Sequence, residues 1–112
     1  MIGWNWIMQF QDKFYPGWRT EKLRLLFACA LAGEAGETCG VVTHLDGGGT
    51  NNKKYTEEKL LEECVDTYIQ LVLLIARSGF TPTDFADKFD EVKVELEQRL
   101  TIKCADLRSK TK

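Results

Sequence analysis

Apolar residues recur along this chain at helical rather than strand-like spacing. Ile7, Phe10 and Phe14 mark a short helix over residues 4–15, which Pro16 and Gly17 end. Thr20 is the expected cap of a second helix running to about Leu45, with Phe27, Ala30, Leu31 and Val41 along one face. Glu34 and Glu37 fall on that same face, inside the apolar stripe. Gly33, Gly36 and Gly40 cost this helix about 1 kcal/mol each against alanine, so another backbone or a ligand is expected close to them. A Gly-rich polar loop follows over residues 46–55. Thr56 then caps a third helix, with Glu57 and Glu58 in its first turn and Tyr55 and Leu60 placed for a hydrophobic staple. This helix is apolar almost all round and stops at Ser78-Gly79, as a central buried element does.

A fourth helix opens with Thr81 as cap, Pro82 at its first position and Asp84 three residues on, with Phe80 and Phe85 spaced for a second staple. Phe85, Phe89, Val92 and Leu96 keep heptad spacing along it. No strand-like alternation and no internal repeat interrupts the series. The expected fold is an all-α helical bundle forming one domain, with its core over about residues 20–107 behind an aromatic segment at 1–19. Two long apolar helices, one amphipathic helix and one short one are few to cover so apolar a third helix. A homodimer or homotetramer is expected to supply the missing layers.

Composition narrows the partners. A net charge of −2 and a pI near 5.4 argue against a nucleic-acid surface. The basic run from Arg99 to Lys112 suits a helix C-terminus. No basic region precedes an apolar one at the start, where Trp4, Asn5 and Trp6 intervene, and no unbroken apolar run, Leu71 to Ala76 among them, is long enough for a bilayer. The expectation is a cytoplasmic protein with no membrane partner. Cys29, Cys39, Cys64 and Cys104 form no C-x-x-C pair and read as small buried thiols in a reducing compartment. His44, alone, gives no zinc site and suits a helix C-terminus.

The chemistry rests on Glu34-x-x-Glu37 and Glu63-x-x-Asp66. Each pair puts two carboxylates on one helix face about a turn apart. Among 17 acidic residues a single such pair is expected by chance, and a salt-bridged surface is its ordinary meaning. Two pairs on successive apolar helices are a different matter, because buried carboxylates need cations or protons to neutralise them. A hard divalent ion with oxygen ligands, usually Mg²⁺ with Mn²⁺ as a substitute, satisfies that need and points to phosphate chemistry. A di-iron carboxylate site would need Glu-x-x-His, which is absent. Gly47-Gly48-Gly49 lacks the G-K-[ST] ending and preceding strand of a P-loop.

The strings ALAGEAGE (residues 30–37), LLEECVDTYIQLVLLIARSGF (residues 60–80) and KFDEVK (residues 88–93) resemble the all-α NTP pyrophosphatase, or MazG-like, family over about residues 23–95. The resemblance implies Mg²⁺-dependent hydrolysis of a nucleoside triphosphate, dNTPs foremost, between its α- and β-phosphates, in the service of nucleotide-pool house-cleaning. It implies Glu34, Glu37, Glu63 and Asp66 as metal ligands, with Glu37 or Glu34 orienting or deprotonating the attacking water. Glu62 has a supporting or surface role. Lys88 is a phosphate contact or a solvated lysine; Asp90 stands where the family often has asparagine, which alters the hydrogen bonds offered to a nucleotide. Lys53, Lys54 and Arg77 are candidate phosphate contacts against a reading as ordinary cations. Trp6 and Phe10, with Trp4 and Trp18, either pack or stack on a base. The alternatives are a pyrophosphatase acting on another phosphoanhydride, such as phosphoribosyl-ATP, and a non-catalytic helical module that binds nucleotide or protein.

Overall fold

The computed structural model describes residues 1–47 and 55–110, and among these all regular structure is helical. The helices are α1 (Trp4–Phe14), α2 (Trp18–Glu21), α3 (Arg24–Asp46), α4 (Glu57–Arg77) and α5 (Pro82–Lys110). The all-α class is therefore observed. The chain divides into two compact units, Met1–Gly79 and Phe80–Lys112, so the aromatic N-terminal segment shares a unit with α3 and α4.

In the first unit α3 and α4 run antiparallel, and both ends of the pair are tied. At one end the His44 ring stacks on Tyr55, with centroids 3.9 Å apart and planes 10° from parallel. At the other, Arg77 Nε donates to the Lys22 carbonyl at 2.6 Å. The core joins Ile7 and Met8 of α1 to Trp18, Phe27, Val72 and Leu73. Trp18 can be buried to 1% exposure because its indole N–H is satisfied: Nε1 donates to Asp12 Oδ1 at 2.7 Å. The Phe27 ring meets it edge-on at 5.8 Å.

Burying Trp18 also explains why Thr20 is not the cap of the long helix. Gly17, at φ 84°, turns the chain into the four-residue α2, where the Thr20 hydroxyl donates back to the Gly17 carbonyl. Lys22 and Leu23 are extended, and α3 starts at Arg24 without a side-chain cap. The other termini follow the sequence. Thr56 Oγ1 accepts from Lys59 N at 3.0 Å, and α4 ends at Ser78 with Gly79 at φ 88°.

The expectation of buried thiols fails. All four cysteines are exposed: Cys29 and Cys39 on α3, Cys64 on α4 and Cys104 on α5. Among the described residues, a Cβ built on Gly33, Gly36 or Gly40 meets nothing within 4 Å. These glycines lie about 100–160° around α3 from Glu34, whereas α4 packs on the Glu34 side. Only Glu63, Val72 and Leu73 of α4 are buried, and Leu61 and Val65 are exposed, so this central helix is half covered. By length and hydropathy α3 meets the criterion for a membrane-crossing helix, as core helices of many proteins outside membranes also do.

The second unit is built on α5. Thr81 N donates to Asp84 Oδ2 at 2.9 Å and Asp84 N donates to Thr81 Oγ1 at 3.2 Å, the reciprocal cap expected from the sequence. None of the residues of α5 is buried.

Candidate metal centre

The α3–α4 pair brings three of the four expected ligands together. One carboxylate oxygen each from Glu34, Glu37 and Glu63 lies within 4.8 Å of the others. The level is fixed by hydroxyls one turn further along each helix. Thr38 Oγ1 and Thr67 Oγ1 are 3.2 Å apart across the helices; Thr38 is also 2.9 Å from the Glu34 carbonyl and Thr67 2.8 Å from the Glu63 carbonyl. A Thr38–Thr67 link needs no charge, so it can hold the helices close beneath the repelling carboxylates. Asp66 stands outside that triad and is exposed, yet its charge acts on Glu34.

The electrostatics differ sharply between the two helices. Burial, then the charges of Glu37, Asp66 and Glu63, push the Glu34 carboxyl above its ordinary value. Glu63, buried at 4% exposure, goes the other way. Lys59, one turn earlier on α4, donates to it from 3.0 Å and holds its carboxyl below the usual range. The same contact raises the Lys59 ammonium. Lys59 also reaches Glu62 at 3.8 Å, which accounts for Glu62 as a surface partner of this cation. Sequence reading missed Lys59 and the threonine pair. The Lys59-x-x-x-Glu63 spacing was the available signal for the first, while the second required knowing how the helices cross.

Even with Lys59 in place, Glu34 Oε2 and Glu63 Oε2 are buried with no hydrogen-bond partner among the described residues. That is costly unless something else completes them. Oxygen-only donors of this kind suit a hard cation. Ligand oxygens around Mg²⁺ sit about 3–4 Å apart, so the 4.8 Å limit of the triad leaves small side-chain movements to complete a shared site.

The substrate-side expectations divide. Trp6 and Phe10 stack on one another at 5.1 Å and are exposed. They line a cleft of about 440 Å³ together with Gln11, Tyr15, Lys22 and Ala30. Ala30 precedes Glu34 by one turn on α3, but none of the four carboxylates lines the cleft. Lys88 and Asp90 belong to α5, where each is in an ion pair along its own helix, with Glu91 at 2.6 Å and Lys93 at 3.7 Å. Lys53 and Lys54 lie outside the described residues. Arg77 is engaged at the Lys22 carbonyl. No protein-family model, curated protein or solved structure matches the chain.

Proposed function

We propose that the chain is a homo-oligomeric, Mg²⁺-dependent nucleotide pyrophosphohydrolase of the cytoplasm, releasing pyrophosphate from nucleoside triphosphates, dNTPs foremost. The observation that carries this reading is the pair of buried oxygens, Glu34 Oε2 and Glu63 Oε2, that have no hydrogen-bond partner among the described residues, on two of the three side chains of the triad with Glu37. Glu34, Glu37 and Glu63 would hold the ion, with Asp66 completing the set; Mn²⁺ has the oxygen preference to replace it. The bound ion supplies charge neutralisation to the phosphates and to the leaving pyrophosphate. Glu37, the exposed member of the triad, would orient water and take its proton. Exposed Trp6 and Phe10 offer aromatic faces on which a base could stack. Exposed Leu61 and Val65 on α4 support association of copies.

A second reading has one observation in its favour. Lys59 already neutralises Glu63 without a metal, which would suit a non-catalytic helical module. Pyrophosphate release from a panel of dNTPs, NTPs and phosphoribosyl-ATP, in Mg²⁺ and in EDTA, separates the readings. Metal-dependent release supports hydrolysis and its best substrate names the class, whereas no release from any member leaves the binding module.

A further inference from the structure

The fourth helical pattern continues beyond the heptads read from its first half. Around Leu96, apolar or long-stemmed residues fall at four, seven and eleven positions to either side: Val92 and Leu100, Phe89 and Lys103, Phe85 and Leu107. The stripe covers 23 residues in six turns, an 11-residue period that stays on one face of a nearly straight helix over about 33 Å. Val94 and Ile102 lie off this line. Every apolar member of the stripe is exposed: Phe89 by 59%, Leu100 by 61% and Leu107 by 57%. A helix of this length is ordinarily held by packing of its apolar face rather than by propensity.

Charge along α5 is polarised. Residues 82–97 hold six acidic and two basic side chains, and residues 98–110 hold four basic and one acidic. A stripe symmetric about its own midpoint, on a helix with opposite charge at its two ends, is complementary to itself turned end for end. We propose that α5 pairs antiparallel with α5 of a second copy about a two-fold axis at Leu96. This deepens the homo-oligomeric part of the proposed function and is independent of its catalysis. In this register Leu96 meets its own counterpart, Val92 meets Leu100, and Phe85 meets Leu107. Lys103 lays its stem and ammonium over Phe89. The positions flanking the seam also match in sign: Lys88 with Asp106, Lys93 with Glu97 and Glu95 with Arg99. A parallel pair would set the acidic halves against one another.

Sedimentation of the full chain tests this pairing. Wild type is expected to sediment as an oligomer and Leu96→Glu, which places two carboxylates at the axis, at half its mass. Lys88→Asp and Asp106→Lys each weaken association roughly tenfold at low salt, and the double exchange restores it. Residues 88 and 106 are too far apart on one helix for that rescue to arise within a chain. A wild-type oligomer whose mass is unchanged by Leu96→Glu overturns the α5 pairing alone, as does failure of the double exchange to rescue. A monomeric wild type overturns both the pairing and the homo-oligomeric reading. Pyrophosphate release is scored separately.

Discussion

Carboxylates at helical spacing occur in two regions of this molecule and behave differently in each. On α5, Asp84, Asp87 and Asp90 repeat at the same three-residue interval as Glu34-Glu37 and Glu63-Asp66. There Asp84 completes a cap and Asp90 an exposed ion pair with Lys93. Between α3 and α4 the same residue type closes into a triad with two buried oxygens that have no partner among the described residues. Spacing is common to both. What differs is the surrounding sequence: α3 and α4 are apolar enough to press their carboxylates together, whereas α5 leaves its acids in water. An acidic motif therefore means most where its neighbours should have excluded it.

The largest expected effect follows from exchanging one carboxylate in each region. Glu63→Gln is expected to lower Mg²⁺-dependent pyrophosphate release about a hundredfold or more, while Asp87→Asn on α5 leaves the rate unchanged. Equal rates in the two variants would erase the contrast. The next effect is on stability against pH in EDTA. The Glu34 carboxyl is raised in the fold, so its contribution is fully present below the unfolded value of 4.5 and is lost as pH rises through the folded value. Glu63 is lowered by Lys59, so its contribution is present above 4.5 and is lost as pH falls through its folded value. The melting temperature is thus expected to pass through a maximum near that crossover for this pair. Glu34→Gln should flatten the high-pH side and Glu63→Gln the low-pH side; unchanged slopes would contradict the electrostatic assignment.

Lys59→Met sharpens the comparison further. It leaves Glu63 buried without its cation, so the melting temperature is expected to fall in EDTA and to recover with Mg²⁺, with severalfold tighter Mg²⁺ binding as a competing charge disappears. The α5 counterpart, Lys88→Met, removes only an exposed pair with Glu91, and the melting temperature should stay essentially unchanged. Gly36→Ala makes the smallest test on the α3 side. With open space around its Cβ among the described residues, it should stabilise the protein by up to about 1 kcal/mol. Destabilisation would show that something outside the chain comes close to that face.

Much of this was legible in the sequence because it is local. The caps at Thr56 and Thr81, the stop at Gly79 and the apolar faces of α3 and α4 follow from residues within a few positions of one another. The shared face of Glu34 and Glu37 was likewise visible from periodicity. The break at Thr20 was not, since it depends on burying Trp18 against Phe27, a contact between separate elements. The exposed cysteines and the empty flank of Gly33 and Gly36 reflect which side of α3 meets α4, and helical spacing does not specify a crossing. Lys59 was hidden for another reason: an i,i+4 ion pair looks the same on paper whether its acid is buried or solvated. Only the 6% exposure of the Glu63 side chain makes it distinctive.

Titration of Mg²⁺ into the metal-free protein, followed by calorimetry, tests the α3–α4 cluster most directly. The expected result is saturable binding by the wild type, retained in Asp87→Asn and lost in Glu34→Gln and Glu63→Gln. Absence of binding in the wild type, or binding undiminished in both glutamine variants, would contradict the assignment of these carboxylates to a metal.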